Sequence, residues 1–281
     1  MTAIAPPTPG AAATARAGSL RPVRRPRRRP SALRAFFWLL IVLLYLPIAI
    51  LFVFSVNAGT TLSFPLKGFT LDWYAKLFQT PALLDAVKTS LLVAVASSAV
   101  ATALGTMVAI LLSRFEFRGK GLLAALAVMP LIVPYVVLGV AMLILFTAFD
   151  IQLSVATVVI GHAIVALPYT TLIVLARLVG AEPQLEEAAM DLGATYPSTL
   201  RLVVIPMAAP AIISAWITAF TVSFDEFAIA LFLAGPDRTF PVYLYGQLRF
   251  ANSLPVLIAA AVLLMAGTLT LILLADRIRR R

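Results

Sequence analysis

The chain has 281 residues, of which 62% are hydrophobic and only 12% charged. Soluble domains run near roughly 45–50% apolar and about 25% charged, so a single water-solvated core is excluded and the bilayer must serve as solvent. The net charge of +10 gathers at one end, in Arg16, Arg21, Arg24, Arg25, Arg27, Arg28, Arg29 and Arg34, which excludes a folded basic face for nucleic acid.

Residues 1–34 are rich in Ala, Pro and Arg without apolar periodicity, and they read as a disordered basic tail. Arg24-Arg25 has the pair of a twin-arginine export signal. The apolar run behind it is too long for a signal peptide, and no small-residue cleavage site follows. A tail held in the cytoplasm by its arginines is the better reading. Six apolar stretches follow, near 35–56, 86–113, 122–147, 155–177, 208–233 and 255–275. Each can cross a core of ~30 Å at ~1.5 Å per residue. The reading is an all-α membrane protein with a six-helix transmembrane domain over 35–281.

Flanking charge orients the spans. One side carries the tail, Arg114, Arg118, Lys120, Arg177, Arg201, Arg277, Arg279, Arg280 and Arg281. The other carries Lys67, Lys76, Lys88, Arg238 and Arg249. The first side is cytoplasmic on this rule, and both termini lie on it. Between the first two spans, Leu71–Phe78 is amphipathic, which predicts a helix along the outer interface with Trp73 and Tyr74 at headgroup level. In the third span, Pro130, Pro134 and Gly139, with Tyr135 beside them, predict a kink. Broken helices line many transport paths, and proline is also tolerated in membrane helices without such a role. His162 stands alone in the fourth span with no acid one turn away, which points to helix–helix hydrogen bonding rather than proton relay.

The segment 178–206 is the longest cytoplasmic connection between spans. Pro183 suits the first position of a helix. Leu185, Ala188, Ala189 and Leu192 then share one face, and Glu182, Glu186 and Glu187 sit near the positive end of the dipole. Gly193 fits the residue just past a helix end. Pro197 opens a second short helix, and Pro206 opens the fifth span. The product is a short helical hairpin outside the membrane, a plain connector or a docking element for another chain.

Glu187-Ala188-Ala189, three residues, Gly193, nine residues, then Val203-Val204-Ile205-Pro206 resembles the EAA signature of ABC-importer permeases. Val203 and Ile205 replace the Ile and Leu of that signature. Gly68-Phe69-Thr70-Leu71-Asp72-Trp73-Tyr74, Ser223-Phe224-Asp225-Glu226-Phe227, Phe240-Pro241-Val242-Tyr243 and Leu248-Arg249-Phe250 are similar to the spermidine/putrescine-type branch, in its second permease subunit. Some polyamine permeases carry an acid where this chain has Tyr135. The resemblance implies a type I ABC-importer permease core in a bacterial inner membrane. It also implies a homologous sister permease, two ATP-binding subunits and an extracytoplasmic substrate-binding protein, with ATP and magnesium on the partner ATPase. Glu187, Ala188, Ala189, Gly193 and Pro206 would then couple the chain to the ATPase. Polyamines lead as substrate, with other small solutes within the same branch.

Asp225 and Glu226 are the only carboxylates inside the six proposed spans, about 26 Å along the fifth at 1.5 Å per residue. Such acids face a cavity or a partner. One reading is a cation-attracting site on the path. The other is a helix-end salt bridge with Arg238 or Arg249. Neighbours on a helix point about 100° apart, so both cannot face the path equally. Trp216 joins the candidate path through cation–π contact, with packing as its alternative.

With no cysteine and one histidine, disulfides, thiolate sites, His-rich metal centres and a Ser–His–Asp set are excluded. Gly119-Lys120-Gly121 lacks the leading glycine and hydroxyl residue of a phosphate-binding loop, so ATP is not bound here. An ion-coupled secondary transporter acting alone stands as the alternative, with His162 and the acid pair as its only titratable groups.

Overall fold

A computed structural model describes residues 32–181 and 184–279. The tail before Ala32, the residues Glu182 and Pro183, and Arg280 with Arg281 lie outside these described residues. The readings of a disordered basic tail and of Pro183 as a helix start lie there with them.

The described chain is built from helices. They are α1 (Ala32–Ser55), α2 (Asp72–Phe78), α3 (Pro81–Arg114), α4 (Lys120–Val128), α5 (Tyr135–Ala148), α6 (Val155–Val179), α7 (Gln184–Asp191) and α8 (Tyr196–Thr199). Then come α9 (Ile205–Asp225), α10 (Ala228–Leu233), α11 (Phe240–Gln247) and α12 (Leu254–Arg279). Two compact units divide at Pro47. In the first, the apolar side chains of α1 from Leu33 to Leu46 stand exposed except the half-buried Ile41, as expected of a helix that has lipid for solvent.

In the second unit, α3, α6 and α9 pack together. Ala101, Ala163, Ala166 and Ala219 are buried at their junction. Small side chains let helix backbones approach closely where lipid offers no hydrophobic driving force. Gly105 marks the tightest point, since a Cβ there would lie 2.8 Å from Thr170 Cβ and 2.9 Å from the Thr171 nitrogen. Thr170 donates to the Ala101 carbonyl at 2.8 Å across the same contact.

Four helical runs are long and apolar enough to cross a membrane: α1, α3, α6 and the continuous stretch Tyr196–Asp225. The α4–α5 pair makes a fifth if taken as one span. At the expected sixth position stands α12, whose apolar stretch is Leu254–Thr270.

Two expectations need correction. The third span is broken rather than kinked: α4 ends in a 3₁₀ turn at Met129–Leu131, and α5 departs at 107°. Pro130 and Pro134 each lack an N–H and crowd the preceding turn, and Pro134 itself adopts ψ 130°. The fifth span, expected to run unbroken from 208 to 233, stops at Asp225 and restarts as α10. The cause is Glu226, whose carboxylate accepts from the Ile229 and Ala230 N–H groups at 2.9 and 3.2 Å and satisfies donors that a new helix start leaves orphaned. Pro206 lies in the first turn of α9 as expected, and a π turn at Leu200–Val204 joins α8 to α9 without an interruption.

The segment between α1 and α3 forms α2 as expected, but Trp73 turns inward. It is buried and donates through Nε1 to the Asn57 carbonyl at 2.8 Å. Tyr74 donates to Ser55 at 2.9 Å.

Candidate functional site

Two regions carry the candidate residues. The first is the hairpin of α7 and α8. Gly193 has φ +91°, a left-handed conformation that glycine adopts without steric cost. Its N–H bonds to the Met190 carbonyl at 2.9 Å, and the Ala194 N–H to the Ala189 carbonyl at 3.1 Å. This pair of bonds is the Schellman closure of a helix end. Pro197 lies in the first turn of α8, as the sequence predicts.

One residue of α7 faces the membrane domain, and it is Glu186. It is buried at 6% exposure. Arg114, the last residue of α3, grips its carboxylate through Nε at 2.9 Å and NH2 at 2.6 Å. The same guanidinium donates through NH1 to the Leu178 carbonyl at 3.1 Å, near the end of α6. Phe115 and Tyr196 add an edge-to-face contact at 5.5 Å between the end of α3 and α8. The hairpin is therefore tied to α3 and α6 together. Glu187 and Ala188 are exposed and Ala189 is half-buried. Leu185 is exposed beside them, and Leu192, at 91% exposure, has almost no neighbour within the chain. The sequence reading missed Arg114 and Glu186 as a pair, using the first only for orientation and the second only for the helix dipole. An arginine closing a long apolar helix and an acid one residue before the EAA run were the available signal.

The second region surrounds the break between α9 and α10. Asp225 and Glu226 diverge there. Glu226 is buried, bound to the start of α10, and its Oε2 lies 3.4 Å from His162 Nε2. His162 Nδ1 shares a 2.8 Å hydrogen bond with Ser223 Oγ, which accepts from Ser97 Oγ at 2.8 Å. A polar chain thus joins α3, α9, α6 and the break, and His162 makes the helix–helix hydrogen bond expected of it. Around it α10 sits close to its neighbours: a Cβ on Gly139 would come within 2.9 Å of Phe232, and one on Gly161 within 2.7 Å of Leu233.

Asp225 is exposed and lines a cleft of about 670 Å³ bounded by α9, α11 and α12. Neither carboxylate pairs with Arg238 or Arg249 among the described residues. Trp216 lies in a different groove, between α3 and α9 with Thr102 and Thr106. Yet Trp216, Phe220 and Phe224 stack along one face of α9, with centroids 5.9 and 6.0 Å apart, and the last ring reaches the Asp225 cleft. Tyr135 stands apart from the cleft and shares a 3.1 Å hydrogen bond with Tyr169.

Comparison with known proteins agrees with this architecture. Residues 101–281 match the family model described as binding-protein-dependent transport system inner membrane component. The spermidine/putrescine transport system permease protein PotC of Escherichia coli is 33% identical over 238 residues, covering 84% of this chain and 89% of the relative. The putrescine transport system permease protein PotI of Escherichia coli is 33% identical over 244 residues, covering 80% and 86%. Among solved structures, a bacterial ABC transporter involved in alginate import has a subunit that superposes with TM-score 0.70 over 89% of this chain and 93% of that one, at 16% identity, a likeness of fold alone. The chain belongs to the binding-protein-dependent transport system inner membrane component family and is a permease subunit of an ABC importer.

Proposed function

We propose that this subunit forms half of the translocation path of an ATP-driven importer of small polyamines and is driven through the hairpin 178–206. The observation that carries the coupling is the rigid mounting of an exposed docking face. Arg114 holds Glu186 and the end of α6, while Glu187, Ala188 and Leu192 face away from the chain. A partner that pushes on α7 moves α3 and α6 with it, because charge-assisted bidentate hydrogen bonds resist shear. Ala188 permits close approach of the partner's backbone, and Gly193 sets the turn. Pro206 sits where the hairpin enters α9.

In this reading six spans cross an inner membrane: α1, α3, the α4–α5 pair, α6, α9 and α12. Both termini are cytoplasmic, in keeping with the arginines that flank that side. A homologous sister permease completes the path, and an extracytoplasmic binding protein delivers substrate. ATP and its magnesium ion bind two partner ATPase subunits. Closure of the ATPase dimer drives the two hairpins together and rocks the bundles from inward-open to outward-open. The polyamine assignment follows the activities of the two relatives at 33% identity and a carboxylate at the cleft, that of Asp225, without an ion-pair partner among the described residues. An ion-coupled transporter acting alone would leave the exposed hairpin without a role.

The test is capture of the tagged chain from native membranes in mild detergent, with mass spectrometry of its companions. A Walker-motif ATPase and a second permease are expected, and the ATPase should be lost with Glu187→Arg although membrane insertion persists. Recovery of the chain alone after crosslinking would overturn the assembly. Amine uptake by proteoliposomes containing only this chain, without ATP, would favour the secondary transporter.

A further inference from the structure

Between α1 and α2 the chain closes into a loop whose base is hydrogen-bonded and whose tip is apolar and bare. At the base, the Ala58 N–H bonds to the Gly68 carbonyl at 3.0 Å and the Thr70 N–H to the Val56 carbonyl at 2.9 Å. Asn57 is buried, accepts the Lys67 N–H on Oδ1 at 2.9 Å, and gives its carbonyl to Trp73 Nε1 at 2.8 Å. Gly68 completes the closure at φ +129°, which glycine adopts without steric cost. Beyond this base every residue from 60 to 69 is exposed. Four of them are large and apolar: Leu62, Phe64, Leu66 and Phe69, the two rings at 72% and 75% exposure. Lys67 is the one charged residue between Asn57 and Leu71.

We propose that this loop is a membrane anchor, with Leu62, Phe64, Leu66 and Phe69 entering the boundary between headgroups and acyl chains of the adjoining leaflet. The inference goes beyond the importer reading and does not rest on it. Continuity with a lipid-facing surface carries it. Phe64 stands edge-to-face with Phe54 in the last turn of α1, ring centroids 5.4 Å apart. The turn before Phe54 exposes Ile50, Leu51, Phe52 and Val53, so the lipid that solvates the end of α1 meets the loop next. The pinned base keeps the four side chains from folding back onto the chain, and a bare apolar patch of this kind marks a surface that something covers. Lipid contact gains from apolar area alone. A protein partner would need about ten hydrogen bonds across a typical interface, and the side chains of the tip offer it only Thr60, Thr61, Ser63 and Lys67. The stem of Lys67 lies along Gly59, where a Cβ would meet its Cδ at 3.4 Å. No carboxylate pairs with its ammonium among the described residues, which leaves that group free to snorkel to lipid phosphate. Trp73, expected at headgroup level, bonds inward instead, and the loop takes over its place at the interface.

The chain has no cysteine, so Ser63→Cys carries a single NBD fluorophore beside Phe64 and leaves all four apolar side chains in place. The full-length chain, with the subunits that co-purify with it, is placed in nanodiscs of phosphatidylcholine and phosphatidylglycerol. Asp237→Cys, an exposed position between α10 and α11, carries the reference label. Relative to that reference, quenching at position 63 should be about twofold stronger by a lipid with a nitroxide near the top of its acyl chain, and about twofold weaker by aqueous iodide. Phe64→Ser with Leu66→Ser, added to the Ser63→Cys chain, should abolish both differences. Quenching by iodide and not by the lipid nitroxide shows a tip open to water and overturns the anchor. Protection from both quenchers shows a protein surface over the tip and overturns it equally. Lipid quenching that is indifferent to the serine substitutions overturns the role given to the apolar side chains.

Discussion

Arg114 and Glu186 meet 72 positions apart in sequence, and their 2.6 Å contact ties the hairpin to the membrane-spanning helices. Side-chain exposures of 14% and 8% keep water from screening it. Removing one partner of such a pair leaves a nearly buried charge unmatched, at a cost of about 3 kcal/mol. Arg114→Ala is therefore expected to loosen α7 and raise protease cleavage within 178–206, while the rest of the chain stays resistant. ATPase stimulation by substrate should fall with it. The double change Arg114→Glu with Glu186→Arg should recover part of both losses. Unchanged proteolysis and coupling in Arg114→Ala would mean that the pair bears no load.

Gly193 closes α7 at φ +91° with nothing within 4 Å of the place a Cβ would occupy. Space is free there and the backbone conformation alone resists substitution. Gly193→Leu should cost about 1–2 kcal/mol and weaken transport, whereas Gly193→Asn should cost less because Asn tolerates the left-handed region. The ratio of ATPase coupling in the two variants checks this. Equal defects would point to a steric clash with a partner instead of backbone strain.

Gly105 faces the opposite situation, with no free space. Gly105→Val places methyl groups against Thr170 and the Thr171 backbone at the α3–α6 contact, and overpacking of this kind costs roughly 1–3 kcal/mol. The expected result is a lower unfolding temperature in detergent and less monodisperse protein on size exclusion. Gly267, with nothing within 4 Å, serves as control, and Gly267→Val should be neutral.

Glu226→Ala should destabilise the chain by about 3 kcal/mol, because the Ile229 and Ala230 N–H groups lose their acceptor inside the fold. Ser223→Ala should act in the same direction by removing the bridge between Ser97 and His162. Thermal unfolding separates these structural losses from the behaviour of Asp225→Asn, which should keep its unfolding temperature and change only the response to amines.

Composition and spacing alone determined a good deal. Apolar runs long enough for a bilayer are visible in one dimension, because each must satisfy its backbone internally as a helix. The EAA spacing, the Gly193 helix end and the amphipathic segment at α2 are local patterns, fixed by neighbours within a few positions, and the structure has each helix there. The proline pair in the third span announced a disturbance for the same reason, though not a bend of 107°.

What only the tertiary structure decided depends on residues far apart in sequence. Asp225 and Glu226 are equivalent as letters, and the break between α9 and α10 alone sends one into the cleft and the other towards His162. Trp73 carries the signature of an interface residue, yet the Asn57 carbonyl draws its indole inward. Arg114 looks like an orienting charge until Glu186 arrives from the far side of α6. In each case the local pattern leaves the partner open, because a hydrogen bond or ion pair between distant segments has no sequence period to reveal it. Helices can be read from their own residues, whereas the choice of which polar group meets which is made only when the helices pack.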